Sequence, residues 1–204
     1  MLETIDLAAR RGYSHLFSGL ALSVEPGCAL LVTGANGTGK TTLLRILAGL
    51  STPFAGRVRW RSEDVTPFAQ CLRQDAVFCG HLPALKDELT AEENLVALVA
   101  LAGATVEPAH VRHALATVAL DRQASLPARV LSQGQRRRLG LARLTVTRRA
   151  LWLLDEPATA LDADGIALLT RLITDHLERG GFAVAATHQS LALPSARVRT
   201  LALS

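Results

Sequence analysis

The sequence predicts an α/β fold with a mostly parallel core sheet, and three short apolar runs carry that prediction. Residues 28–33, 151–155 and 182–186 are almost wholly apolar, and each run ends in polar or glycine-bearing residues that begin a turn. Short buried strands that alternate with helical patterns are typical of parallel sheets, which bind ligands at the carboxyl ends of their strands. Aromatic residues make up only 4% of the chain, which favours helices packed on a sheet over a β-sandwich.

The remaining segments complete this architecture in chain order. Residues 2–7 and 16–24 alternate between apolar and polar side chains, which predicts a small antiparallel β part. Helical patterns over residues 41–50 and 166–177 follow the first and second buried strands. A mostly helical stretch at about 83–130 predicts a helical lobe inserted between sheet segments. We therefore expect a single domain over residues 1–204.

Composition and charge limit the classes of function. The 204 residues include 22 basic and 18 acidic side chains, a net charge of +4. Such a mild excess suits a nucleotide, an anionic membrane surface or an ordinary solvated surface, and it does not indicate a nucleic-acid partner. The three cysteines form no CxxC pair, so neither structural disulfides nor a zinc site is expected, and a reducing cytoplasm fits.

Membrane targeting is not predicted either. The N-terminus has no cationic start followed by an apolar run and a cleavage site. The longest uncharged stretch, residues 94–106, is interrupted by Gly103 and is too short to span a bilayer. We do not expect this chain to cross a membrane by itself.

A phosphate-binding loop is predicted between the first buried strand and its helix. The pattern GxxxxGK[ST] is matched by Gly34, Ala35, Asn36, Gly37, Thr38, Gly39, Lys40 and Thr41. Glycines let successive backbone N–H groups turn inward to hold phosphate oxygens, and the helix N-terminus adds partial positive charge. We expect Lys40 to contact the β- and γ-phosphates of ATP, the Thr41 hydroxyl to bind Mg²⁺, and Thr42 to contribute to nucleotide binding.

Two adjacent acids end the second buried strand. An apolar strand tolerates no unpaired charge, so Asp155 and Glu156 at its carboxyl end are expected to face a cation or water. Asp155 has the position of the aspartate that holds Mg²⁺ in P-loop NTPases, directly or through water. Glu156 is placed to polarise the attacking water as a general base.

A further motif points to one family of P-loop proteins. The segment Leu131-Ser132-Gln133-Gly134-Gln135, ahead of a helical pattern through residue 148, resembles the LSGGQ signature of ABC transporter ATP-binding subunits, with Gln133 in place of the first glycine. The resemblance implies an ABC cassette in which Ser132, Gly134 and Gln135 bind the γ-phosphate of a nucleotide held by a second copy of the chain. A homodimer with two composite ATP sites follows from it.

Other landmarks of that family appear in order along the chain. Residues 160–162 resemble the D-loop, and His188 after the third strand matches the switch histidine that contacts the γ-phosphate. His81 takes the place of the Q-loop glutamine, which implies a contact with the metal and its water. For stacking on adenine, Tyr13 is the nearest aromatic residue, and the Arg11 guanidinium is the alternative.

Smaller similarities suggest which transporter the chain serves. Gly80-His81, the run Ser132 to Arg138 and Thr187-His188-Gln189 are similar to the ATPase subunits of cytochrome c maturation haem exporters. The resemblance implies integral membrane permease partners, a peripheral position on the cytoplasmic face of the bacterial inner membrane, and release of a haem-loaded chaperone. The sequence has no CxxCH, and we expect no direct haem binding.

Three other classes of protein share some of these features. Chromosome-associated ATPases share the cassette motifs but insert long coiled coils, and a silent binding module would be expected to lack Glu156 or His188. The ATPase of another importer or exporter stays open. The run Arg136-Arg137-Arg138 is interpreted as a solvated helix face, with anionic lipid or nucleotide contact as the alternative.

Overall fold

The computed structural model describes residues 1–67 and 69–204, and within those ranges the chain forms nine strands and six α-helices. The strands are β1 (Leu2–Arg11), β2 (Ser14–Val24), β3 (Ala29–Thr33), β4 (Ala55–Trp60), β5 (Glu63–Val65), β6 (Ala76–Cys79), β7 (Leu151–Asp155), β8 (Phe182–Ala186) and β9 (Val198–Ala202). The helices are α1 (Lys40–Leu47), α2 (Gln70–Asp75), α3 (Ala91–Leu101), α4 (Pro108–Thr117), α5 (Gln133–Val146) and α6 (Ala163–Glu178).

Two sheets of different kinds organise the chain. A four-stranded sheet has the order β2-β1-β4-β5, and its pairs are antiparallel. A five-stranded sheet has the order β6-β7-β8-β3-β9, and its pairs are parallel. The predicted fold class, a mostly parallel core sheet with a small antiparallel part and a helical lobe, is confirmed.

The predicted strand bounds hold best where the strand is buried on both faces. Strands β7 and β8 have the predicted bounds, and all five residues of each are buried. Strands β4, β5, β6 and β9 were not predicted. Charged residues interrupt the apolar pattern of β4, β5 and β9, as Arg57 and Arg59 do in β4, while β6 is apolar but only four residues long.

Buried side chains form layers on both faces of the parallel sheet. One face packs against α1 and the antiparallel sheet, through residues such as Leu43, Leu47 and Trp60. The other face packs against α5 and α6, through residues such as Leu141 and Leu169. The parallel sheet is therefore covered on both faces, and the edge at the carboxyl ends of its strands carries the loops of interest.

The helical lobe has its own core. Helices α3 and α4 pack together with α5, which contributes Leu139 and Ala142 to a cluster centred on Leu95 and Leu115. Asn94 is 1% exposed and binds the backbone of residues 86, 89 and 90, which fixes the loop that leads into α3. Helix α5 also packs against the parallel sheet, so it joins the lobe to that sheet. Across residues 1–67 and 69–204, no helix is both long enough and apolar enough to cross a membrane.

Candidate functional site

A cleft of about 340 Å³ opens beside the carboxyl ends of β3 and β7. It gathers residues from the predicted phosphate loop, from the strand-end acids and from the loop after β6. Its lining consists of Arg11, Leu16, Asn36, Gly37, Gly39, Lys40, Thr41, Thr42, His81, Asp155 and Glu156. Residues that are more than a hundred positions apart in the chain therefore share one surface.

The loop between β3 and α1 has the backbone conformation of an anion-binding turn. Gly34, Gly37 and Gly39 have φ values of 138°, 91° and 100°, which side-chain-bearing residues rarely adopt. Gly39 is the N-cap of α1, so the free N–H groups of that helix open into the loop. Lys40 is 7% exposed, and its ammonium donates to the carbonyls of Gly34 and Ala35 at 2.7 and 3.1 Å. The loop therefore encloses a cation and amide donors, the environment that phosphate requires.

A hydroxyl and a carboxylate meet at the floor of the cleft. Thr41 Oγ1 donates to the Asp155 carboxylate, with distances of 3.1 Å to Oδ1 and 2.9 Å to Oδ2. Asp155 is 2% exposed and lies at the floor of the cleft because it is the last residue of β7. Two hard oxygen donors this close together suit Mg²⁺, which binds one or two protein oxygens together with phosphate and water oxygens. The described residues contain no cluster of three or more His, Cys, Asp or Glu that could hold a metal without such extra ligands.

Glu156 and His188 are also in contact. His188 Nε2 lies 3.1 Å from Glu156 Oε1 and 3.1 Å from Asn36 Oδ1, so one N–H can donate to both acceptors. Glu156 has φ of 48°, a conformation unusual for a residue with a side chain, and its N–H donates to Ala186 at the end of β8. This turn directs the carboxylate into the cleft instead of along the strand.

The signature segment lies at the start of α5, away from this cleft. Ser132 is the N-cap and forms a capping box with Gln135: its Oγ accepts from the Gln135 N–H at 3.2 Å, and its own N–H donates to Gln135 Oε1 at 2.9 Å. Gly134 lies so close to the D-loop segment that a Cβ would come within 2.9 Å of the Ala160 carbonyl oxygen. None of these residues lines the cleft. Within one chain, the phosphate loop and the signature segment therefore face different spaces.

The interpretation of the arginine run as a solvated face is wrong for Arg137. This residue is 5% exposed, and burial lowers the pKa of its guanidinium below the ordinary value while the carboxylates of Asp155 and Glu156 oppose that effect. The neighbouring Arg136 binds Asp87 at 2.7 Å and the Ala128 carbonyl at 2.8 Å. Helical spacing was the missed signal, because residues 137, 141 and 144 form one buried stripe on α5.

The structure places His81 and Tyr13 differently with respect to the cleft. His81 is exposed and lines the cleft together with Lys40 and Asp155. Tyr13 is fully exposed in the turn between β1 and β2 and does not line the cleft. Arg11 and Leu16, which flank that turn, do line it, so Arg11 is better placed than Tyr13 to stack on a base.

Comparison with known proteins gives a consistent result. The family model described as ABC transporter matches residues 17–159. The cytochrome c biogenesis ATP-binding export protein CcmA of Nitrosomonas europaea is 45% identical over 204 residues, which are 100% of this chain and 96% of that protein. The protein of the same name from Pseudomonas aeruginosa is 48% identical over 197 residues, 97% of each chain.

Solved structures agree on the fold. A dimeric post-hydrolysis state of the ATP-binding cassette MJ0796, bound to ADP and Pi, superposes with a TM-score of 0.79. The superposition covers 93% of this chain and 88% of that one, at 24% identity. This likeness supports the two-sheet architecture with its helical lobe.

Proposed function

The chain belongs to the ABC transporter family, and from that premise we propose that it hydrolyses ATP in the cleft beside β3 and β7 as half of a homodimer. One observation carries the proposal: Lys40, Thr41, Asp155 and Glu156 line the same cleft, although β7 lies more than a hundred residues after the phosphate loop. Packing alone does not explain two acids and a lysine around one cleft, because buried charges are costly unless they are paired or bind a ligand.

Each residue then has a distinct task. The loop amides and Lys40 bind the β- and γ-phosphates, so Lys40 exchanges the carbonyls of Gly34 and Ala35 for phosphate oxygens. Glu156 accepts a proton from the attacking water, and His188 leaves its contact with Glu156 for the γ-phosphate. The contact at 3.1 Å places the proposed base and the switch histidine side by side at the cleft.

Mg²⁺ would be held by Thr41 and Asp155, with His81 as a candidate contact to its water. When bound, Mg²⁺ supplies charge neutralisation and polarisation of the phosphoryl oxygens. The hydrogen bond between Thr41 and Asp155 keeps both oxygen donors directed at this position.

The second half of each site comes from a partner copy. Ser132, Gly134 and Gln135 do not line the cleft of their own chain, yet α5 begins there with the free N–H groups and partial positive charge that suit a phosphate. Two chains arranged head to tail would place each signature segment over the other chain's phosphate loop. A cassette of similar fold has been solved as a dimer bound to ADP and Pi, which supports the proposal of a two-chain assembly.

The transporter that this chain serves is proposed from its relatives. Proteins named as cytochrome c biogenesis export subunits are 45% and 48% identical over nearly the full length of this chain. We place the chain with integral membrane permease subunits on the cytoplasmic face of the bacterial inner membrane, where hydrolysis drives release of a haem-loaded chaperone. The ATPase subunit of another transporter is the alternative. Affinity capture of the full chain from solubilised membranes would decide it, since recovery of a permease unrelated to cytochrome c maturation would overturn this assignment.

Two variants test the ATPase proposal directly. Glu156→Gln removes the base but leaves the phosphate loop intact, so it should bind ATP, stop turning over and form a dimer with Mg-ATP. Lys40→Ala is the matched control and should neither bind ATP tightly nor dimerise. Light scattering and nucleotide binding measure both outcomes. Normal turnover in Lys40→Ala, or a nucleotide-saturated Glu156→Gln that stays monomeric at high concentration, would contradict the proposal.

A further inference from the structure

The buried guanidinium of Arg137 joins two loops that carry candidate catalytic side chains. Its five N–H groups match five backbone carbonyl oxygens at 2.5–3.0 Å, which belong to Gly80, His81, Asp155, Glu156 and Pro157. Arginine has five such donors in a fixed planar fork, so its hydrogen-bonding capacity is fully used. A surface arginine can donate to water instead, whereas every donor of the buried Arg137 side chain binds a backbone carbonyl.

The acceptors fall into two groups, one for each terminal nitrogen. Nη1 binds the carbonyls of Gly80 and His81, just after β6, at 2.9 Å each. Nη2 binds the carbonyls of Asp155 and Glu156, at the end of β7. The rigid plane of one guanidinium therefore sets the separation and orientation of two loops whose side chains both line the cleft.

The loop at Glu156 is the one that needs support. A residue with a side chain at φ of 48° lies in a sparsely populated conformation, which persists where surrounding bonds determine it. The Glu156 N–H is held by the Ala186 carbonyl, and the carbonyls on both sides of the unusual φ, of Asp155 and Glu156, are held by Arg137. Loss of the guanidinium would free this peptide to relax and turn the carboxylate away.

We propose that Arg137 is a positioning residue for ATP hydrolysis, which fixes the Glu156 turn and the His81 turn relative to each other. The inference rests on the proposed ATPase function. Arg137 does not line the cleft, and its five hydrogen bonds go to residues outside the phosphate loop, so its contribution should concern the hydrolytic step and not the affinity for ATP. A mispositioned catalytic group can cost about 10²-fold in rate, even when the mutated residue lies away from the chemistry.

The experiment compares full-length Arg137→Gln and Arg137→Lys with Arg138→Gln as the control. Arg138 is the adjacent residue, and within residues 1–67 and 69–204 its side chain makes one hydrogen bond, from Nη1 to the Val118 carbonyl at 3.5 Å. For Arg137→Gln we expect kcat to fall about 10²-fold with an ATP dissociation constant close to wild type. Arg137→Lys keeps the charge but has three donors on one point, so it should lie between Gln and wild type. Arg138→Gln should behave as wild type.

Hydrogen exchange gives a readout that does not depend on turnover. In Arg137→Gln, amide exchange should accelerate together around residues 80–82 and 156–158, and in Arg138→Gln it should not. If Arg137→Gln does not fold, the same measurements on Arg137→Lys decide the question. Unchanged kcat, a loss of ATP affinity equal to the loss of kcat, or faster exchange in only one loop would overturn the inference. A wild-type chain without ATPase activity would refute the proposed function instead, and the exchange data would still decide the role of Arg137.

Discussion

The tightest backbone contact of the phosphate loop gives a quantitative test of the site. Gly34 has φ of 138°, and a Cβ at this position would lie 2.3 Å from the Leu203 carbonyl oxygen and 2.9 Å from Thr38 Oγ1. Leu203 cannot easily retreat, because its N–H donates to the Thr33 carbonyl at 2.9 Å. Gly34→Ala must therefore displace the backbone at the start of the loop or at residue 203.

Gly37 provides the matched control within the same loop. It also has a positive φ, 91°, but a Cβ there meets no atom within 4 Å. Gly37→Ala should cost only the left-handed conformation, about 1–2 kcal/mol. Gly34→Ala adds an overpacking cost of about 1–3 kcal/mol, for a total of roughly 2–5 kcal/mol in the free energy of unfolding. Since 1 kcal/mol lowers Tm by about 2–4 °C in a chain of this size, we expect Gly34→Ala to lower Tm by roughly 4–20 °C.

ATP binding should also be weakened more by Gly34→Ala than by Gly37→Ala. A displaced loop loses at least one charge-assisted hydrogen bond to phosphate, worth about 1.5–3 kcal/mol, which weakens ATP binding by roughly 10–100-fold. Thermal unfolding without nucleotide and ATP titration measure the two effects separately. If Gly34→Ala were as stable as Gly37→Ala and bound ATP as well as wild type, the packing of residue 203 against the loop would have no part in forming the site.

Two further predictions concern histidines. If His81 substitutes for the Q-loop glutamine, His81→Gln should preserve ATPase activity in the complex with its membrane subunits and His81→Ala should reduce it, by less than the ~10²–10⁴-fold typical of an acid–base residue; equal wild-type rates for both variants would make His81 a bystander. His176 stacks on Trp152 with ring centroids 3.9 Å apart, and burial lowers its pKa below the ordinary value, although its contacts with the carbonyls of Phe182 and Ala150 oppose this. The unfolded chain then binds the extra proton more readily, so stability is intact above about pH 6.5 and falls as the pH drops toward the folded-state pKa. His176→Gln should make the free energy of unfolding, measured with urea, less dependent on pH over that range. If its pH dependence equals that of the wild type, another group titrates instead.

The sequence was most informative where a local pattern has one structural solution. Strands β7 and β8 are buried on both faces, so an uninterrupted apolar run defined their bounds. The phosphate loop was equally predictable, because glycines at fixed spacing before a lysine are needed for its unusual backbone. Once β3 and β7 were assigned to a parallel sheet, their polar carboxyl ends had to share an edge. The meeting of Thr41 and Asp155 follows from that topology.

Long-range partners were not predictable in the same way. Arg137 was misjudged because charge usually indicates solvent, and a single sequence does not show that five backbone carbonyls from two distant loops meet at that point. Strand β9 pairs with β3 in parallel and completes the sheet, yet none of its residues is buried and Arg199 and Thr200 interrupt its apolar residues, so its local signal was weak. Both misses arise from contacts that exist only after the sheet has formed.

Helix α5 connects features that would otherwise be independent. Its first residues form the signature segment, Leu139 and Ala142 lie in the core of the helical lobe, and Leu141 and Leu144 pack against the parallel sheet. Arg137 lies between these regions and is bonded to the backbone at Glu156. Helix α5 is packed on two cores and bonded through Arg137 in its second turn, so a shift of the helix would also move the backbone at Glu156. The same rigid element therefore joins the surface expected to meet a partner's nucleotide to the base that acts on the chain's own, which is why the exchange and turnover of Arg137 variants should change together.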